Sequence, residues 1–215
     1  MLRVVNFVLG PLRNNTYLIT DEETGASLVI DPSFGSEQVA AYAAREQIHI
    51  DKILLTHGHN DHVAGVPALQ RQYYKEIPLY IRKEDTFYLK KEGNEDSDFM
   101  GMPRPFIHGP FHWLQDGDTV SLGNSIFQVI ATPGHTPGSV CYYQEDRQWL
   151  FSGDTLFAGS AGRCDLPLGD EEKLADSLDR LKQIIPDSAI ILPGHGEHSE
   201  MGLEKINNPF LRGGL

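Results

Sequence analysis

Ile53-Leu54-Leu55-Thr56-His57-Gly58-His59-Asn60-Asp61-His62 is a short apolar run that passes directly into three imidazoles and a carboxylate. The apolar part has the length and composition of a buried strand, so the polar part sits on the loop at its end. Four potential ligands within six residues, His57, His59, Asp61 and His62, are the donor types that suit zinc, iron or manganese. Gly58 between them is expected to leave room for backbone close to a metal. Three further segments repeat the pattern of strand, glycine, ligand. Ile126–Ala131 leads to Thr132-Pro133-Gly134-His135, Trp149–Phe151 to Ser152-Gly153-Asp154, and Ile190–Leu192 to Pro193-Gly194-His195. Four strand ends of this kind can place seven groups on one sheet edge. One catalytic zinc takes three protein ligands and keeps an open position, whereas two ions sharing one carboxylate would use all seven.

Outward from these motifs, the chain alternates strands and helices twice, with no linker between the halves. Val4–Leu9, Thr16–Thr20 and Ser27–Ile30 read as strands joined by turns at Gly10-Pro11 and Thr24-Gly25. Ser36 is expected to cap a helix through Val39, Tyr42 and Ala43, and Val66, Leu69 and Gln70 mark another. Leu79–Ile81 is a further strand, and Lys83 to His112, with no periodicity, reads as a long polar loop near the site. Thr119–Leu122 pairs with Ile126–Ala131 across Gly123-Asn124, and Ser139–Tyr143 follows. Leu174, Leu178, Leu181 and Ile185 define a helix face, capped by Asp170 and ended by Pro186. The expectation is one α/β domain over 1–215, with one sheet from each half.

Composition narrows the function classes. The 215 residues are 40% apolar and 22% charged, as in a folded globular protein, and the net charge is −12, from 18 basic and 30 acidic residues. That balance opposes nucleic-acid binding, which needs a basic footprint. Cys141 and Cys164 form no CxxC pair. No signal-peptide pattern and no membrane-length apolar run is evident, so a cytoplasmic location is expected. His49, His108, His112 and His198 carry no ligand pattern and read as surface or loop residues.

His57-Gly58-His59-Asn60-Asp61-His62 resembles the HxHxDH signature of the metallo-β-lactamase superfamily, and His135, Asp154 and His195 follow in that superfamily's order and approximate spacing. The resemblance spans nearly the whole chain. It implies a four-layer αβ/βα sandwich of two mixed sheets flanked by helices. It implies His57, His59 and His135 as ligands of a first ion, Asp61, His62 and His195 as those of a second, and Asp154 as a bridge. Asp61 and Asp154 are thereby the catalytic carboxylates. Asp31 resembles a family aspartate that orients a ligand imidazole, although an aspartate before Pro32 is also an ordinary turn residue. The resemblance thus implies two divalent ions, zinc foremost and iron or manganese as alternatives, which would supply a hydroxide and polarise the carbonyl it attacks.

Gly153–Asp165 resembles the hydroxyacylglutathione hydrolase (glyoxalase II) group, especially its short bacterial members, which implies hydrolysis of S-lactoylglutathione. Arg163 stands where relatives carry a basic residue facing the glutathione carboxylate; the plain alternative is a surface pair with Asp165. The sequence departs from the full-length enzymes in lacking their C-terminal helical region, and Arg104, Phe106, Phe111 and Trp113 are candidates to replace its contacts. Persulfide dioxygenases share the ligand set with one iron on His57, His135 and Asp154, and lactone hydrolases share the hydroxide. An RNA-processing nuclease fits the acidic charge poorly, and a non-catalytic module fits the complete ligand set poorly.

Overall fold

The structure is a computed structural model that describes residues 1–73, 76–89 and 104–213. The first half builds one six-stranded sheet in sequential order: β1 (Leu2–Leu9), β2 (Asn14–Asp21), β3 (Ser27–Ile30), β4 (Ile50–Leu54), β5 (Leu79–Arg82) and β6 (Phe111–Leu114). β1–β2–β3 is an antiparallel meander, and β3 to β6 are parallel. The second half contributes β7 (Thr119–Leu122), β8 (Ser125–Ala131), β9 (Val140–Gln144), β10 (Trp149–Gly153), β13 (Ile190–Pro193) and β14 (Ser199–Glu200), in the spatial order β14-β13-β10-β9-β8-β7. A small hairpin, β11 (Leu156–Phe157) and β12 (Ser160–Ala161), stands apart from both.

Period-two alternation sorts the apolar side chains into layers. Tyr17, Ile19, Leu28, Ile30 and Leu54 point towards the second sheet and meet Phe127, Val129, Tyr142 and Phe151. Leu18, Val29, Ile53 and Leu55 point the other way, onto helices α1 (Glu37–Arg45) and α3 (Val66–Tyr73) through Val39, Ala43, Val66 and Leu69. On the far side, Ile130, Cys141, Tyr143 and Leu150 pack on α5 (Glu171–Ile184) through Leu174, Leu178 and Leu181. Helix, sheet, sheet, helix is the expected four-layer αβ/βα sandwich. α2 (Asn60–Val63), α4 (Thr86–Leu89) and α6 (Met201–Asn207) are short additions. Among the described residues, no helix is long and apolar enough to cross a membrane.

Local chemistry follows the sequence at some ends and not at others. Asp170 caps α5, its carboxylate accepting from the Lys173 amide at 3.1 Å. Ser36 does not cap α1: its backbone is already helical, and its hydroxyl donates to the Ser33 carbonyl at 2.7 Å. The loop expected over 83–112 is not one loop. Lys83–Asp85 is a turn of 3₁₀ helix that leads into α4, and Phe111–Leu114 is edge strand β6. Residues 90–103 of that segment lie outside the described residues. The strand escapes the sequence pattern because His112 and Trp113 are both exposed, so its four residues do not alternate.

Phe127 is fully buried between the sheets, near Phe151. Phe127→Ala is expected to lower unfolding free energy by about 3–5 kcal/mol in urea titration, the usual cost of removing a buried phenyl ring. A loss below about 1 kcal/mol would show that the inter-sheet layer is not the main core.

Candidate metal centre

The strands that deliver the candidate ligands end on the same side. β8, β10 and β13 run in one direction, because β8 and β10 are both antiparallel to β9 while β13 is parallel to β10. His135, Asp154 and His195 each follow the C-terminal end of one of these strands. His57 follows β4 in the other sheet. Two contacts bring the sheets together there: the Val140 amide donates to the Thr56 carbonyl at 2.8 Å, and the Tyr142 hydroxyl to the Leu55 carbonyl at 2.8 Å.

All seven candidate groups converge. Ligating atoms of His57, His59 and His135 lie within 4.8 Å of one another, as do those of Asp61, His62 and His195. Asp154 stands between the two sets, with His62 Nε2 at 3.4 Å, His195 Nε2 at 3.5 Å and His135 Nε2 at 3.6 Å. Gly194 permits this approach, since a β-carbon there would come within 2.4 Å of Asp154 Oδ1 and 2.7 Å of His62 Cε1. At Gly58 the missing side chain makes way for Tyr88 and for the Asp85 carbonyl, at 2.9 and 3.0 Å from an added β-carbon.

The hydrogen bonds fix the histidine tautomers. His62 Nδ1 faces Asp31 Oδ2 at 2.9 Å, His135 Nδ1 the Arg163 carbonyl at 2.7 Å, and His195 Nδ1 the Leu12 carbonyl at 3.1 Å. His57 Nδ1 faces the Thr56 hydroxyl at 3.1 Å, and that hydroxyl is itself committed as donor to Asp31. In the neutral ring each Nδ1 therefore carries the proton, and each Nε2 is turned towards the middle of the cluster, where a proton or a metal ion can take its lone pair. His57 Nε2 and Asp154 Oδ1 are buried with no hydrogen-bond partner. Bare lone pairs at contact distance, with buried acceptors that lack donors, are what a cation would satisfy. Asp31 reaches this position from the end of β3 with φ at +49°, accepting from both the amide and the hydroxyl of Thr56.

Electrostatics agree. Burial, reinforced by neighbouring imidazoles, pushes His57 down and His59 down to about 3, so both stay neutral. Burial opposes charge on Asp61 and Asp154, but the surrounding imidazoles, His62 foremost, outweigh it. Asp61 is held well below the usual carboxylate range and Asp154 at about 2. Burial likewise opposes a charged His62, yet Asp154 and Asp61 raise it. The two carboxylates thus draw positive charge into the second set of groups.

His59, Asp61, His135, Asp154 and His195 line a cleft of about 460 Å³, while His57 and His62 are fully buried. Leu12, Phe34 and Phe157 are among its apolar walls, with Tyr88, Leu166 and Pro167. Arg104 and Arg163 also line it. The Arg163 side chain is 54% exposed and engages Asp165 through two contacts of 2.6 Å. Arg104 donates to the Gly58 carbonyl at 3.0 Å. His108, His112 and His198 belong to none of the ligand groups among the described residues; His112 stacks on Tyr80. Three residues near the site carried no signal that sequence reasoning used. Asn14, fully buried at the start of β2, donates to Asp61 Oδ2 at 2.8 Å. Tyr88 sets its ring edge-on to His59 at 4.8 Å, and Asp85 is buried beside it; both lay hidden in the segment read as a loop.

Residues 9–195 match the metallo-beta-lactamase superfamily. The chain belongs to that superfamily. It is 34% identical over 200 residues to hydroxyacylglutathione hydrolase GloC of Haemophilus influenzae, covering 93% of each chain. It is also similar to the crystal structure of the B3 metallo-beta-lactamase BLEG-1, with a TM-score of 0.87 and 34% identity over 98% of this chain and 99% of that one. TTHA1623, solved in a di-iron-bound form, gives a TM-score of 0.84 at 36% identity, over 97% and 100%. Membership marks the chain as a metal-dependent enzyme, and the cluster supplies the donors that such an enzyme requires.

Adding Zn²⁺ to chelator-treated protein at a hundred times its dissociation constant is expected to stabilise the folded state by about 2.7 kcal/mol. Calorimetry would show a rise in Tm that EDTA reverses. A Tm that none of Zn²⁺, Fe²⁺ or Mn²⁺ moves would mean that the cluster holds no ion.

Proposed function

We propose that this superfamily member is a dinuclear hydrolase of small thioesters, with S-lactoylglutathione as the model substrate. The observation that carries the reading is the convergence of seven donors from both sheets, five of them lining one cleft, with the Nε2 atoms of His57, His62, His135 and His195 turned inward. His57, His59 and His135 would hold one ion and Asp61, His62 and His195 the other, with Asp154 placed between the two sets. Zinc suits this donor set, as does iron. Such ions, when bound, supply an ionised water at neutral pH and polarise the carbonyl under attack.

The chain's own residues do the rest. Asp31 holds His62 in the required tautomer, and Asn14 fixes the orientation of Asp61. Phe157, edge-on to His195 at 6.2 Å, and Tyr88, edge-on to His59, keep the walls apolar, which strengthens every charge interaction at the floor. Arg163 sits on the cleft with its guanidinium paired to an exposed carboxylate, a partner that a substrate carboxylate can displace. The similarity to GloC supports a glutathione thioester, and the net charge of −12 speaks against nucleic acid.

The test is thiol release from S-lactoylglutathione by protein of measured metal content. Release is expected to fall at least about a hundredfold in Asp61→Ala, in line with loss of an ion that stabilises the transition state. Arg163→Ala is expected to raise KM about tenfold with little change in kcat, the loss of one charge-assisted contact. No release from fully metallated protein would remove glutathione thioesters as substrates. Oxygen uptake with glutathione persulfide would then identify a dioxygenase, and ring opening of a lactone a lactonase.

A further inference from the structure

Asp85 lies outside the ligand set yet touches both loops that carry the first set. It closes the 3₁₀ turn after β5 and is fully buried. Its Oδ2 accepts from the Gly58 amide at 2.8 Å and from the Thr136 hydroxyl at 2.8 Å, and its Oδ1 accepts from the Gly138 amide at 2.6 Å. Gly58 lies between His57 and His59, and Thr136 directly follows His135. One carboxylate from the first sheet's side therefore binds the loop after β4 to the loop after β8 of the second sheet. The Val140–Thr56 backbone bond fixes the bases of these loops, and Asp85 fixes their tips. Across the seam, His59 Nδ1 stands 2.9 Å from His135 Nε2.

We propose that Asp85 is a positioning residue for the first ion: it sets the spacing of His57 and His59 against His135. The inference rests on the metal-centre reading above. A carboxylate in the interior is costly unless its oxygens are satisfied, and three donors at 2.6–2.8 Å do so here. A neutral amide of the same size cannot replace it. Asparagine keeps one acceptor oxygen and turns an N–H against a donor of the loops. The loops then separate, and the first ion's ligands lose their common geometry without any of them being altered.

The experiment is a Co²⁺ titration of the chelator-treated full chain, read by calorimetry and by the visible absorption of the bound ion. In an Asp61→Ala background, which disables the second set, Asp85→Asn is expected to weaken Co²⁺ binding about 10–100-fold, as for other groups that orient metal ligands, and to change the visible spectrum. In a His135→Ala background, which disables the first set, Asp85→Asn is expected to leave the remaining Co²⁺ affinity unchanged. Equal affinity and spectrum with and without Asp85→Asn in the Asp61→Ala background would overturn the proposal, even if thermal stability fell, because a mere staple of the fold would behave that way. Should Asp85→Asn fail to fold, Thr136→Val removes one of the three contacts. It is then expected to weaken the first ion about fivefold, the worth of one hydrogen bond, and unchanged affinity would overturn the proposal equally. Failure of the wild-type chain to bind Co²⁺ at all would instead sink the metal-centre reading and this inference with it.

Discussion

The Nδ1 atoms of His57, His62, His135 and His195 each face an oxygen of the scaffold, and the rest of the site depends on those four contacts. An imidazole with a free Nδ1 can turn over or carry its proton on either nitrogen. With Nδ1 committed, the ring has one tautomer and one direction for its remaining lone pair. Two of the oxygens are backbone carbonyls, of Arg163 and Leu12, so chain segments far from each other in sequence must be held in register to supply them. The other two trace back to one carboxylate. Asp31 accepts directly from His62 and, through the Thr56 hydroxyl, governs His57. That residue takes a left-handed backbone conformation at the end of β3. The surrounding contacts sustain it there against a conformational cost of about 1–3 kcal/mol.

The layered fold meets this demand because parallel strands end together. In open α/β sheets the carboxyl ends of the strands form a natural crevice, since the loops leaving them have no neighbouring strand to pair with. Here two such edges, one per sheet, face each other. β4 contributes the tight cluster from His57 to His62, while β8, β10 and β13 contribute one group each. The inter-sheet core of Tyr17, Phe127, Tyr142 and Phe151 fixes the separation of the sheets, and thereby the width of the cluster. Packing and chemistry are thus coupled over a distance of a few side chains.

Much of this is legible in the sequence, because strand, glycine and ligand recur three times, a fourth strand runs straight into the His57–His62 cluster, and a strand end is a predictable place. The capped helix α5 is legible for a similar reason: Asp170, two glutamates and a leucine face at helical spacing all agree. What the sequence does not display are residues whose partners are remote. Asn14 is an ordinary polar residue in a strand until His195 and Asp61 fold against it, 181 and 47 positions away. Asp85 and Tyr88 stand in a stretch without periodicity, and what ties them to the site is contact with remote loops, Asp85 with Gly58, Thr136 and Gly138 and Tyr88 with His59. Gly58 itself is ambiguous from sequence. A glycine reports that something comes near, not what. Ser36 shows the same limit for caps, because its hydroxyl has a competing acceptor in Ser33 that helix rules do not anticipate.

The acidic balance of the chain has a consequence for the order of events at the site. Asp61 and Asp154 stay ionised at the cleft floor, and the loops behind it are tied by Asp31 and Asp85. The cluster therefore favours cations, and the raised affinity of His62 and His195 for protons is the same attraction in another form. Hydrolysis of a thioester, the reaction proposed above, would place negative charge on the carbonyl oxygen and then on the departing sulfur. Against bare carboxylates in an apolar cleft, both charges would be repelled, and low local polarity makes that repulsion stronger than in water. The same walls that sharpen catalysis with cations in place would oppose it without them. An anionic substrate is consequently compatible with this cleft only after the carboxylates have been neutralised, and of the two basic side chains that line it Arg104 is already engaged with the Gly58 carbonyl, which leaves the exposed Arg163 as the cation open to such a substrate under the reading proposed above.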